Sequence, residues 1–221
     1  MSNLFESFDP MTGCLSMNWF SLFMPFFMFF LPYWLISSRV NFIWLILFKL
    51  IFNEFKLLIS FNSQSNIIVF VSLLIYIMLL NLFGLLPYVF TVTSHMSFNL
   101  ILSLSLWLSF VFYGYLNFPI FVFSHLVPKN TPSFLMNFMV LIEFISNLIR
   151  PLTLSIRLTA NLISGHLLMT LLGLFMSKTV FFILIFSIII QNVLLILEIS
   201  MAFIQAYVFS VLLTLYFTEF N

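Results

Sequence analysis

Long apolar runs separated by short polar clusters set the pattern of this chain. The runs at about 17–36, 67–88 and 98–123 are each long enough for a bilayer-crossing helix, which needs about 20 residues. The first contains Pro25 and Pro32, which spanning helices tolerate as kinks. The stretch 39–62 is mixed: Lys49, Glu54 and Lys56 are spaced among Trp44, Leu47, Leu50, Ile51, Phe55 and Leu58. Apolar residues recurring every three or four positions predict an amphipathic helix lying on the membrane surface. A polar loop follows at 62–66, and His125, Pro128, Lys129 and Pro132 mark another at 124–133.

Beyond residue 133 the punctuation almost stops. From 134 to 176 only Pro151 and isolated glycines interrupt, and from 178 to 218 there is neither glycine nor proline. Each piece of about 40 residues makes roughly 60 Å of helix, against a hydrocarbon core about 30 Å thick. Such helices must tilt strongly or break. Four short spans, one break falling at Pro151, is the plainer alternative. The second piece has no break residue, so the pattern predicts a long, tilted hairpin, 134–176 and 180–218, turning near 176–179. The expected fold is an all-α polytopic membrane protein, a single domain over 1–221. It has about five membrane helices and one amphipathic surface helix.

Composition agrees. Of 221 residues, 63% are hydrophobic and 6% charged, where a soluble domain carries about 25% charged; mean hydropathy is +1.23. Seven basic residues are too dispersed to form a patch, which excludes a nucleic-acid partner. The lone Cys14 allows no internal disulfide. No Cys/His cluster has metal spacing, so neither metal nor cofactor is expected. The acidic start, with Glu6 and Asp9, fits neither a secretory signal nor an Arg-rich presequence. The chain is expected to be inserted without a cleaved address, or made where it works. With five spans, Arg39, Lys49, Lys56 and Lys129 fall on one side and Lys178 on the other. The positive-inside rule then puts the N-terminus outside and the C-terminus inside.

The chemistry centres on Arg157, inside the apolar run Leu154–Asn161. An arginine at the bilayer centre costs about 2.5–3.5 kcal/mol even on insertion scales, and it cannot shed its proton. Glu143 is fourteen residues earlier, Arg150 halfway, and His166 nine residues later. The last helix holds Glu198, Gln205 and Glu219. Folding the hairpin antiparallel with Gln205 opposite Arg157 sets Glu143 level with Glu219, and His166 near Glu198. Two polar clusters result, Glu143/Glu219 inside and His166/Glu198 outside, with Arg157 between them, about 20 Å of helix from Glu143. Carboxylates and imidazole pass protons readily. A fixed positive charge between two such pockets blocks a direct leak, so a mobile partner bearing its own titratable carboxylate is implied.

Taken singly, several of these residues have plainer explanations. His166 fits a satisfied structural imidazole, Glu219 a solvated C-terminal carboxylate, Gln205 a helix contact and Arg150 a structural pairing. His95 and His125 fall in loops near span ends, where interfacial positions are expected. The intramembrane acids Glu143 and Glu198 default to function.

The run 155–168, SIRLTANLISGHLL, resembles the signature of the subunit-a family of the F-type rotary ATP synthases. The upstream 142–151 run IEFISNLIRP, 81–88 NLFGLLPY, 124–128 SHLVP and 204–209 IQAYVF fit the same family. The opening Asn3-Leu4-Phe5 with Phe8-Asp9-Pro10 is similar to its animal mitochondrial form. Ser164, where a small apolar residue is expected, and Glu219, where some relatives carry Asp, depart from the pattern. The resemblance implies a multi-pass protein of the mitochondrial inner membrane, working with a ring of c subunits and other stator subunits in the lipid bilayer. It implies a proton path past His166, Glu198 and Asn161 on the intermembrane side, and past Glu143 and Glu219 on the matrix side. Arg157 separates the two and Gln205 orients it. The subunit is then non-catalytic by itself.

Three competitors predict other features. A secondary transporter of organic ions needs inverted repeats and broken helices, against which the uninterrupted 178–218 stretch argues. A haem or quinone redox subunit wants facing histidines, and only His166 is inside a span. A purely structural subunit leaves Arg157 unexplained.

Overall fold

The computed structural model describes residues 5, 8–11, 13, 16–28, 38–59, 65–127, 135–177 and 181–220; within these, nothing is said of the side chains of 121, 125, 181, 219 and 220. The described residues are helical, without strands: α1 (Met24–Met28), α2 (Arg39–Leu58), α3 (Ile67–Gly84), α4 (Met96–Asn117), α5 (Pro119–His125), α6 (Met136–Met176) and α7 (Phe181–Phe220). Four of them, α3, α4, α6 and α7, are long and apolar enough to cross a membrane by length and composition. The protein is an all-α polytopic membrane protein.

The boundaries differ from the sequence expectation in instructive places. The run expected as one span from 17 starts as a 3-10 helix, Met17–Phe23, before passing into α1; residues 29–37 of that run lie outside the described residues. The α2 helix stops at Leu58, four residues short of expectation, and starts where the Ser38 hydroxyl accepts the Asn41 N–H at 3.3 Å, an N-cap. The α3 helix ends at Gly84, not 88. A side chain there would meet Thr91 Cγ2 at 3.1 Å, so glycine lets the returning chain pack against the helix end. Tyr88 follows at φ 66°, the left-handed region. The stretch 98–123, expected as one helix, is two. Phe118 sits at φ −134°, ψ 57° between α4 and α5. Proline at 119 disfavours helical backbone at the residue before it. His125 consequently ends a helix and does not lie in a loop.

The alternative break at Pro151 does not occur: α6 runs through it for 41 residues, and α7 for 40. Pro151 is buried, and although it offers no N–H to the Asn147 carbonyl the helix continues through it. Packing against neighbouring helices is what makes proline tolerable in such a helix. Residues 178–180, where the hairpin was expected to turn, lie outside the described residues.

The α3 helix packs on α7, α4 on α6, and α6 on α7. Ala202, Ala206, Ser210 and Thr214 form a buried stripe of small residues at i, i+4 spacing along α7. Small residues allow close helix approach where no hydrophobic effect drives association. At one end Phe70, Phe110 and Phe217 interlock α3, α4 and α7, with ring centroids 5.4–5.8 Å apart.

Candidate proton-path site

The α6 and α7 helices run side by side and carry their polar residues into three cavities. A cavity of about 170 Å³ is lined by Asn161, Ser164, Gly165 and His166 of α6, by Glu198 and Gln205 of α7, and by Leu85 just beyond α3. His166 Nε2 and Glu198 Oε1 are buried and hydrogen-bond to nothing among the described residues. Both acid–base groups thus face a shared space and not each other's direct bond. That volume holds several waters, and proton transfer across it needs a bridging chain. Gly165 sets the geometry. A Cβ at that position would stand 2.8 Å from Glu198 Oε1 and 3.2 Å from its Cγ, so only glycine admits the carboxylate here.

One turn along, Leu154, Arg157, Leu158, Asn161, Met201, Ile204, Gln205, Val208 and Phe209 enclose a second cavity of about 130 Å³. Asn161, Met201 and Gln205 line both spaces, so the second adjoins the first. Gln205 is buried, and its Nε2 has no partner among the described residues. It stands beside Arg157 without a recorded bond to the guanidinium. Arg157 itself is exposed on the surface of the isolated chain, midway along an apolar helix, and pairs with no carboxylate among the described residues. A permanent cation presented from apolar surroundings calls for an anionic partner from outside the chain.

The third cavity, about 460 Å³, shares no lining residue with the other two. Glu143, Asn147 and Arg150 of α6 face Trp107, Val111 and Tyr115 of α4 and Val122 of α5 across it. Arg150 Nη2 lies 3.8 Å from Glu143 Oε1, and its guanidinium sits 5.2 Å over the Tyr216 ring of α7. Glu143 keeps 42% of its side chain exposed on the isolated chain. Glu219 is on α7, but its side chain lies outside the described residues, and so does that of His125.

The antiparallel register read from spacing therefore brings Arg157 to Gln205 and His166 to Glu198. It did not foresee Arg150 closing on Glu143 and Tyr216, nor Asn147, Met201 and Gly165 as lining residues. Asn147 stands one turn after Glu143, a signal available in the sequence; Met201 carries none. His95 lies between helical elements at the start of α4, near a span end as expected. It caps the start of α4 with its ring 5.3 Å from Trp19 and 5.1 Å from Phe90. Among the described residues, no cluster of His, Cys, Asp and Glu is able to hold a metal.

The profile of the family described as ATP synthase A chain matches residues 14–218. A protein named ATP synthase subunit a from Apis mellifera ligustica is 57% identical, covering 100% of this chain and 98% of its own length. Proteins of the same name from Locusta migratoria and Drosophila simulans are 48% and 47% identical, covering 99% and 100% of both partners. On a match of this extent, the chain belongs to the ATP synthase A chain family.

Proposed function

We propose that this chain is the proton-conducting stator subunit of the ATP synthase membrane sector in the mitochondrial inner membrane, a non-catalytic part of that complex. The observation that carries the reading is the separation of the acid–base groups. His166 and Glu198 share one cavity, Glu143 lies in another that has no wall in common with it, and Arg157 stands between. A water-filled pore would need one continuous space. Two offset pockets need a carrier, and an exposed cation on an apolar face needs an anion. A ring of c subunits, each with a carboxylate at mid-membrane, meets both needs.

The steps are those that the family resemblance implies, and the three cavities provide room for them. A proton arriving from the intermembrane side passes His166 and Glu198 and, by way of the shared wall at Asn161, reaches a ring carboxylate. Once neutral, that site crosses lipid at low desolvation cost. After nearly a full turn it meets the pocket of Glu143 and gives up its proton toward the matrix; Glu219 assists there. Its restored negative charge is then attracted by Arg157, which Gln205 holds in orientation. Hydronium cannot follow directly, because the guanidinium repels it and does not titrate. The membrane potential supplies about 2.3 kcal/mol per proton per 100 mV. The N-terminus lies on the intermembrane side and the C-terminus on the matrix side. Family membership gives the organic-ion transporter alternative no support.

The test is Arg157→Ala in the intact synthase reconstituted into vesicles. Proton-driven ATP synthesis should be lost while the complex still assembles. Synthesis at the unaltered rate refutes the role given to Arg157.

A further inference from the structure

The segment ahead of α1 reaches the outer pocket. The rings of Phe8 and His166 stand perpendicular, with centroids 6.3 Å apart and planes at 85°. The two residues are 158 positions apart in the chain, so local connectivity does not force the contact. The segment is fastened immediately after it. Asp9 Oδ1 accepts the Met11 N–H at 3.1 Å, an Asx-type turn around Pro10. The Asp9 carbonyl accepts from Asn18 Nδ2 at 3.1 Å. Next to Asn18, Trp19 rests against Phe90 and His95 at the start of α4. Exposure is selective as well: Phe5 is 66% and Met11 59% exposed, while Phe8 between them is turned inward. Phe8-Asp9-Pro10 is also a run that the proton path leaves unexplained.

We propose that Phe8 is a positioning residue for His166. Its ring fixes the plane of the imidazole and covers it on the outer side, so that Nε2 stays in the buried position facing the cavity shared with Glu198. Asp9 and Pro10 form the turn that aims Phe8, and Asn18 and Trp19 anchor that turn. The inference rests on the reading of the His166–Glu198 cavity as the outer proton pocket. An aromatic ring perpendicular to an imidazole restricts rotation in a way that an aliphatic side chain of similar bulk does not. Without it the ring gains rotamers and water contact, and fewer molecules at any instant offer a proton to the pocket.

The experiment uses the intact synthase in vesicles, with Phe8→Ala, Phe8→Leu and Phe8→Tyr. Diethylpyrocarbonate labelling of His166 is followed by mass spectrometry of its peptide, and proton-driven ATP synthesis is measured in parallel. In Phe8→Ala, labelling should rise about three- to tenfold, the population change expected from losing one aromatic contact, and synthesis should fall. Phe8→Leu should resemble Phe8→Ala, and Phe8→Tyr should restore both readouts. Unchanged labelling in Phe8→Ala overturns the proposal, as does raised labelling with undiminished synthesis. A Tyr variant no better than Ala overturns it too. Failure of the pocket reading itself is distinguishable. Glu198→Gln would then synthesise ATP normally, while Phe8→Ala would still raise His166 labelling.

Discussion

At the scale of single residues, Gly165 and Glu198 illustrate how one missing side chain fixes another. The nearest atom to an added Cβ is the far end of a flexible carboxylate, 2.8 Å away. Gly165→Ala is therefore expected to displace Glu198 at little cost to folding and to lower proton-driven synthesis by up to about a hundredfold, the scale of an ångström's misplacement. Glu198→Asp withdraws the carboxylate by one methylene. The double variant Gly165→Ala, Glu198→Asp should recover activity relative to Gly165→Ala alone, measured as ATP synthesis per assembled complex. A double variant no better than the single one would mean that glycine serves helix packing only. On the other side, Glu143 keeps company with Arg150 at 3.8 Å. Exposed pairs of this kind contribute only about 0–1 kcal/mol, so Glu143→Gln should leave assembly intact. Proton release toward the matrix should nevertheless slow in reconstituted vesicles, and unaltered flux would count against Glu143 as a path residue.

At the scale of elements, α7 works as a spine. Its stripe Ala202, Ala206, Ser210 and Thr214 brings it close to its neighbours, and Phe217 locks one end into the three-ring knot with Phe70 and Phe110. Overpacking a tight core typically costs about 1–3 kcal/mol. Ala206→Leu is accordingly expected to lower the thermal denaturation midpoint of the complex in detergent by several degrees. Truncating a buried Phe costs about 3–5 kcal/mol, so Phe217→Ala should do so more strongly. Equal midpoints for these variants and the parent would remove α7 from the core. The continuity of α6 through Pro151 matters to the site. A break there would uncouple the height of Glu143 and Arg150 from that of Arg157, whereas one rigid helix holds all three in fixed order.

At the scale of the whole molecule, α6 at 41 residues is roughly 60 Å long, and the hydrocarbon core is about 30 Å thick. Keeping its apolar length in the bilayer requires an oblique course, and an oblique helix presents successive polar residues at different depths along one path. The proposed function places two vestibules along that path, opening to opposite sides. Ser164→Cys, in a Cys14→Ser background, should react with a membrane-impermeant thiol reagent applied from the intermembrane side, and Asn147→Cys with the same reagent from the matrix side. Labelling of both from one side would contradict separated vestibules.

The sequence alone determined more of this protein than its fold class. Charge scarcity dictated membrane residence, and the spacing of a few polar residues dictated the hairpin register. Two antiparallel helices with the same rise per residue turn equal sequence offsets into equal heights; hence Arg157 meets Gln205 and His166 meets Glu198. The Phe118 break left a signal in the sequence, since Pro119 disfavours helical backbone before it, but the unbroken apolar run masked it. Other features were decided only by tertiary structure. Whether Pro151 breaks α6 depends on the helices packed around it, not on proline itself. The seat of Glu198 against Gly165, the closure of Arg150 on Tyr216 and the reach of Phe8 to His166 join residues far apart in the chain. Contacts of that kind have no period to betray them. They exist because packed helices leave particular gaps, and the size and shape of a gap is a property of the assembled bundle.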